Sequence, residues 1–462
     1  MATALQFVNE VTVESPEESR AVKLLARFFF ASFWMIVFTG AVRKWLFPGY
    51  SIFYLLQDVP IFFAYLVALR NGLFTRGILM LGLVLMSSAI TLQALVQVIF
   101  SGLTPFVAMV GLHNYLFYLP MLLVFPLCLT VEYRRKFIWW NLMLSIPMCL
   151  LAIVQAQSPK AAFINRSSEG DAFGVSGAEV ARVTGTFNFI SFYVIWVAMA
   201  VALCMGEWLQ PKERRVIKQQ WLLIVCTFAV NLCHLIAASR SAIMLSALSI
   251  VGGLAGAILL RSGRAIAALS GVCVLLPVVS AATYLISPDE FNVVMLRFTG
   301  DYYVSEQKDR LVESGFGFLY QPRFSLLGAG VGMGVDAAHV GSADAYSFTY
   351  ALAETDITRI VMELGTPLGL TYVLTRLMFG VGVIFLSIRM VRAGSMPHLL
   401  PMSFFLMGQV YLGDLTRNAA MSASQTMVGY SFILGAFYYP DTASLETASL
   451  EVGAGDSSTR SV

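Results

Sequence analysis

From about residue 24 onward the chain is a succession of long apolar runs, each broken by a short polar stretch. A helix rises about 1.5 Å per residue, so a run of roughly 20 residues is what a hydrocarbon core about 30 Å thick requires. The runs predict about twelve spans, at 24–42, 51–69, 77–100, 105–130, 137–156, 187–206, 220–239, 241–260, 265–286, 365–388, 398–413 and 425–440. The expectation is an all-α polytopic membrane protein forming one transmembrane domain over residues 1–440. Its tail, 441–462, is rich in Ser, Thr, Gly and Ala and is expected to be disordered.

An even number of spans places both termini on one side. The short connections on that side hold more than twice as many Lys and Arg as the short connections opposite, which makes the termini cytoplasmic. Arg43 and Lys44, directly after the first span, are the clearest exception. The outer side then carries both sizeable loops, about 157–186 and about 287–364, the larger lying between helices 9 and 10.

Composition narrows the class further. The 462 residues are 58% hydrophobic and only 12% charged, with a mean hydropathy of +0.75. A soluble domain carries about 25% charged residues, so an ordinary soluble enzyme and a disordered chain are both excluded. The net charge of +3 is scattered between apolar runs, with no basic face of the kind that binds nucleic acid. All six cysteines fall inside apolar segments and read as packing residues. The first 20 residues are polar and acidic and predict no cleavable leader.

Polar groups within a bilayer cost free energy, so their depth is informative. Asp58, His113, Asn114 and His234 all fall in the outer halves of their spans. Arg240 lies in the tight outer turn Ala238-Ser239-Arg240-Ser241, and Arg182 just before the sixth span. Each has an ordinary structural reading: a carboxylate at a helix break, a core histidine, an arginine reaching lipid phosphate. Their collection on one side favours function. Arg376, near the midplane, is either an intramembrane charge or a sign that the tenth span starts later, and the later start is preferred.

In the large loop, Arg297 to Phe318 reads as an amphipathic helix over the membrane mouth. Leu327-Gly328-Ala329-Gly330-Val331-Gly332-Met333-Gly334 follows, without the βαβ setting of a dinucleotide fingerprint, and suits a re-entrant turn or a backbone anion nest. Further on, Asp356, Arg359 and Glu363 share one helical face, so Arg359 can pair with both carboxylates. Glu354 points elsewhere. There is no HExxH, paired Cys-x-x-Cys, Walker A or Gly-x-Ser-x-Gly sequence.

These features resemble the O-antigen polymerase and O-antigen ligase superfamily of bacterial envelope glycosyltransferases. The resemblance rests on the twelve-span plan with its dominant outer loop and on Arg182-Val183-Thr184-Gly185-Thr186-Phe187. It rests also on Ser239-Arg240-Ser241-Ala242, and on the glycine-rich stretch followed by Glu363-Leu364-Gly365-Thr366-Pro367-Leu368-Gly369. It implies an inner-membrane enzyme that moves a glycan from undecaprenyl pyrophosphate to an acceptor hydroxyl on the periplasmic face, with no metal or other cofactor. Arg182 and Arg240 suit bidentate diphosphate binding, Arg359 and Asp58 are further substrate-binding candidates, and His339 or Glu354 is the candidate general base. Membrane lipids, and a chain-length regulator or export proteins, would be the partners. His339 stands alone in Asp336-Ala337-Ala338-His339-Val340-Gly341, whereas ligases of the superfamily often carry a loop rich in His and Asn. The Ala353-Glu354 and Arg359 to Glu363 pattern is more similar to exopolysaccharide polymerases, so polymerisation is favoured over ligation, with a lipid-linked sugar transporter or an export scaffold as the readings from other classes.

Overall fold

The computed structural model describes residues 20–74, 77–168, 181–260, 277–286, 288–299, 326–335, 355–413, 415–416 and 419–440. Among these the regular secondary structure is all helical, without a strand. Helix α1, Arg20–Ala41, runs on through a π turn, Val42–Leu46, and a 3-10 turn, Ser51–Leu55, leads into α2, Asp58–Arg70. Then come α3, Ile78–Phe100, and α4, Pro105–Leu116, which resumes after a break as the one-turn α5, Met121–Val124. Next are α6, Val131–Gln157, α7, Ile190–Leu209, α8, Gln220–Ile236, and α9, Arg240–Leu259. Short helices α10, Pro277–Ile286, and α11, Pro288–Thr299, precede α12, Asp356–Leu364. The chain ends in α13, Thr366–Arg392, α14, Leu399–Leu412, and α15, Ala419–Tyr438.

Eight stretches among the described residues are helical, long and apolar enough to cross a membrane: Arg20–Leu46, Ile52–Arg70, Ile78–Phe100, Pro105–Cys128, Val131–Gln157, Ile190–Leu209, Arg240–Leu259 and Thr366–Arg392. The protein is membrane-embedded. Several expected boundaries shift by a few residues, and three points stand out. The fourth run is broken at Phe117–Pro120, where Pro120 and then Pro126 interrupt the helix. The last helix begins at Ala419 instead of 425. The tenth run does start near 365, so Arg376 lies in the third turn of α13 and the preferred late start is wrong.

Helix α7 forms the axis. All of its residues except Ser191 and Trp208 are buried, as a helix apolar all round must be. Against it pack α8, α9 and α14, and α9 meets α14 closely because Gly252 lies on the Leu400 carbonyl and Pro401. Helix α3 is the opposite case. Only Ile90, Ala94 and Gln97 are buried, one face of its C-terminal half, while Ile78, Leu81, Val84 and Leu85 are exposed. The five described cysteines are free and buried, as packing residues should be.

Side-chain bonds sort the helix ends into two sets. At one end, Lys44 after α1 and Gln155 closing α6 bond to the segment preceding α7, Gln97 closing α3 bonds to α12, and Asp58 opening α2 pairs with His113 of α4. At the other, Arg134 near the start of α6 reaches Tyr439 O after α15, and Arg135 reaches the carbonyls of Arg214 and Arg215. A buried pair, Glu207 with His398 at 3.0 Å, joins α7 to the start of α14 there.

Candidate functional site

The first end holds three buried polar clusters. The largest is built on α12. Its amphipathic sequence buries every residue but Met362, and places Asp356, Arg359 and Glu363 on one face. Arg359, 2% exposed, donates to Asp356 and, at 2.7 Å, to Thr416 Oγ1, and its Nε lies 3.8 Å from Glu363 Oε1. Arg376 reaches the same Asp356 from α13 at 2.7 Å. Two guanidiniums thus share one carboxylate, which Thr416 also tops with its N–H and hydroxyl. Burial pushes the Asp356 carboxyl up, but Arg376 and then Arg359 overcome it, with hydrogen bonds from Arg376 and Thr416, and hold it below the ordinary carboxylate range. Burial pushes Glu363 up, against Arg359 and its hydrogen-bond donors.

Those donors come from the glycine-rich stretch. Gly332 and Gly334 give their backbone N–H groups to the Glu363 carboxylate at 3.2 and 2.8 Å, and Tyr115 gives its hydroxyl at 2.9 Å. The stretch can approach because Gly332, at φ +91°, lies directly on Gly111 of α4, where a Cβ on either residue would overlap the other backbone. Gln97 fastens the arrangement, donating to the Leu327 and Glu363 carbonyls and accepting from Val331 N–H.

The second cluster continues from Thr416. Its carbonyl accepts from Asn114 Nδ2, which turns Asn114 Oδ1 toward His113 Nδ1 at 3.2 Å. His113 Nε2 stands 3.0 Å from Asp58 Oδ2, and Tyr118 donates to Asp58 Oδ1 at 2.6 Å. Both Asp58 oxygens are therefore engaged within the fold.

The third cluster fixes the segment that contains Arg182. Lys44, fully buried, donates to Thr184 Oγ1, Gly185 O and Phe187 O at 2.8 to 3.0 Å. Gln155 Oε1 accepts from the N–H groups of Thr184 and Gly185. Arg182, partly buried, leads into this anchored turn; Arg240, also partly buried, opens α9 at the same end. Nearby, His234 Nδ1 meets Ser246 Oγ at 3.1 Å.

A cavity of about 260 Å³ lies among α3, α4, α5, α13 and α15, under the Thr416 turn. Sequence reasoning found Asp58, Arg182, Arg240 and Arg359 at this end and the Asp356–Arg359–Glu363 pairing. It gave no role to Gln97, Tyr115, Gln155 or Thr416, and treated Lys44 only as an anomaly of charge. That anomaly was the available signal: a lysine directly after a first span has either lipid phosphate or a buried acceptor cage to satisfy it. His339, Glu354 and nearly all of Arg297 to Phe318 lie outside the described residues. No known protein family and no characterised protein matches the chain.

Proposed function

We propose that the chain is a glycosyltransferase of the bacterial inner membrane that polymerises undecaprenyl-pyrophosphate-linked oligosaccharide units into exopolysaccharide or O-antigen on the periplasmic face. It crosses twelve times, through the eight long stretches together with α8, α14, α15 and the run 265–286, of which α10 is the described part, with both termini cytoplasmic. The observation that carries the reading is the placement of Arg182 and Arg240 at one end of the apolar bundle. Each sits at the start of a fixed element, one in the turn locked by Lys44 and Gln155, the other at the N-terminus of α9. Arg134, Arg135, Lys136, Arg214 and Arg215 crowd the opposite end, which supports the cytoplasmic assignment of that side.

In the reaction the acceptor hydroxyl oxygen attacks the anomeric carbon. The bond from that carbon to the diphosphate oxygen breaks, and its electron pair leaves with the lipid diphosphate. Two guanidiniums aimed at the diphosphate stabilise the charge that develops there, and His339 or Glu354 takes the acceptor proton. Direct displacement of this kind inverts the anomeric centre.

The test uses purified protein in lipid with undecaprenyl-pyrophosphate-linked oligosaccharide, no nucleotide and excess EDTA. Longer lipid-linked glycans that disappear in Arg240→Ala support the polymerase. Release of the carrier only on adding a separate acceptor moves the protein to ligation, and no turnover in either case overturns the enzymatic reading.

A further inference from the structure

A polymerase of lipid-linked units has two lipid substrates, because the acceptor chain as well as the donor hangs on a carrier. Arg182 and Arg240 serve one diphosphate. None of the residues around the cavity under Thr416 belongs to α6 through α9 or to the turn at 181–189, so the cavity is a separate place.

Its lining is graded. On α13, Tyr372, Thr375 and Arg376 precede Phe379, and along α4 and α5, Asn114, Tyr115 and Tyr118 precede Leu119 and Leu122. Both helices start at the end that carries the buried clusters, so on these two walls the polar side chains lie toward that end, while α3 and the α15 residues Ala423 and Met427 are apolar and most of the cavity surface is apolar. Arg376 is its cation. Of its five N–H donors, one goes to Asp356 and one to Val410 O at 3.3 Å, and its side chain is 14% exposed. The guanidinium stands 5.7 Å from the centre of the Tyr372 ring. One turn further along α13, Tyr430 Oη lies over Gly380, 2% exposed at the residue level and without a hydrogen-bond partner among the described residues. A buried hydroxyl in that state costs free energy that a ligand oxygen would recover.

The approach is lateral. The fully buried residues of α3 all lie in its C-terminal half, and the half that walls the cavity, Ile78 to Met86, contains none of them. At Gly82 on that wall a Cβ would meet nothing within 4 Å. The volume is too small for a whole polyprenyl chain but admits its phosphate-proximal part, with the remainder in the bilayer beside α3.

We infer that this cavity is a second polyprenyl-phosphate site, occupied by the carrier of the acceptor glycan, with the phosphate at Arg376 and the Tyr430 hydroxyl and the first isoprene units against Leu122 and Phe379. The inference rests on the polymerase reading for the acceptor's role and on the cavity alone for the ligand class.

The probe is undecaprenyl phosphate bearing a diazirine near its phosphate end, photolysed with the full-length protein in phosphatidylcholine nanodiscs. Cross-links are expected within 78–86 and 372–379. Gly82→Phe fills the cavity without touching the buried clusters and should reduce them about tenfold. Arg376→Lys keeps a cation beside Asp356 and should weaken cross-linking while the protein remains monodisperse. Phosphatidylglycerol in equal excess should not compete; if it does, the cavity is a general anionic-lipid seat and the inference falls. Cross-links spread over all lipid-facing helices, or unchanged in Gly82→Phe, overturn it too. In the elongation assay Gly82→Phe should stop chain growth. Growth at the wild-type rate in that variant overturns the acceptor site and leaves the polymerase standing. Cavity cross-links in a protein that never elongates overturn the acceptor role and the polymerase reading together, and support the lipid-phosphate site alone.

Discussion

Gly334 donates its backbone N–H to Glu363 Oε1 at 2.8 Å, so the anion nest of the glycine-rich stretch is filled by a carboxylate of the protein itself. Every group around Glu363 is a donor: two backbone N–H groups, the Tyr115 hydroxyl and the Arg359 guanidinium. An amide at that position must point its NH2 group at one of them. Glu363→Gln is therefore expected to destabilise the protein by about 3 kcal/mol, with poor recovery from the membrane. Thermal unfolding in detergent checks this, and a variant as stable as wild type would remove Glu363 from the folding core.

Lys44 and Gly185 form a comparable lock, at 2.9 Å, on the turn behind Arg182. Lys44→Met leaves the Phe187 carbonyl and the Thr184 hydroxyl without this donor in a buried setting, at a cost of about 2 kcal/mol. Its effect on turnover should exceed its effect on folding, because the turn positions Arg182. Limited proteolysis across 181–189, read beside the elongation rate, checks both parts.

How much of this was legible in the sequence depended on the range of the interaction. Helix existence follows from apolar length, and the Asp356–Arg359–Glu363 pairing follows from spacing within one helix, so both were readable. Arg376 was misread because its partner, Asp356, is 20 residues away on another helix, and a lone charge near a midplane looks like a boundary error until the partner is known. Gln97 and Thr416 were invisible for the same reason: a glutamine in an apolar helix and a threonine in a short turn carry no local pattern. The break at Phe117–Pro120 was readable from Pro120 and was masked by the apolar run on both sides of it.

Asp356 gives stability a pH dependence. It is held below the ordinary carboxylate range, so its contribution is present above the unfolded value and lost as pH falls through the folded one. Melting temperature plotted against pH should therefore show an acid-side fall that Asp356→Asn removes. An acid-side fall unchanged in that variant would show that another group titrates there.

Arg182 and Arg240 carry the functional reading, and the informative substitution at each is Lys, since charge is kept and the planar fork is lost. A lipid diphosphate gripped by two guanidiniums presents paired oxygens that an ammonium meets only one at a time. Arg182→Lys and Arg240→Lys are each expected to lower elongation about 100-fold while the melting temperature shifts by no more than a few degrees. The double variant should be little worse than either single one, because both side chains stabilise the same leaving group. Elongation rates measured at saturating lipid-linked substrate, alongside thermal unfolding of the same preparations, decide the matter. Full activity in both Lys variants would mean that these arginines serve the membrane boundary, and the search for the diphosphate site would turn to other residues at that end of the bundle.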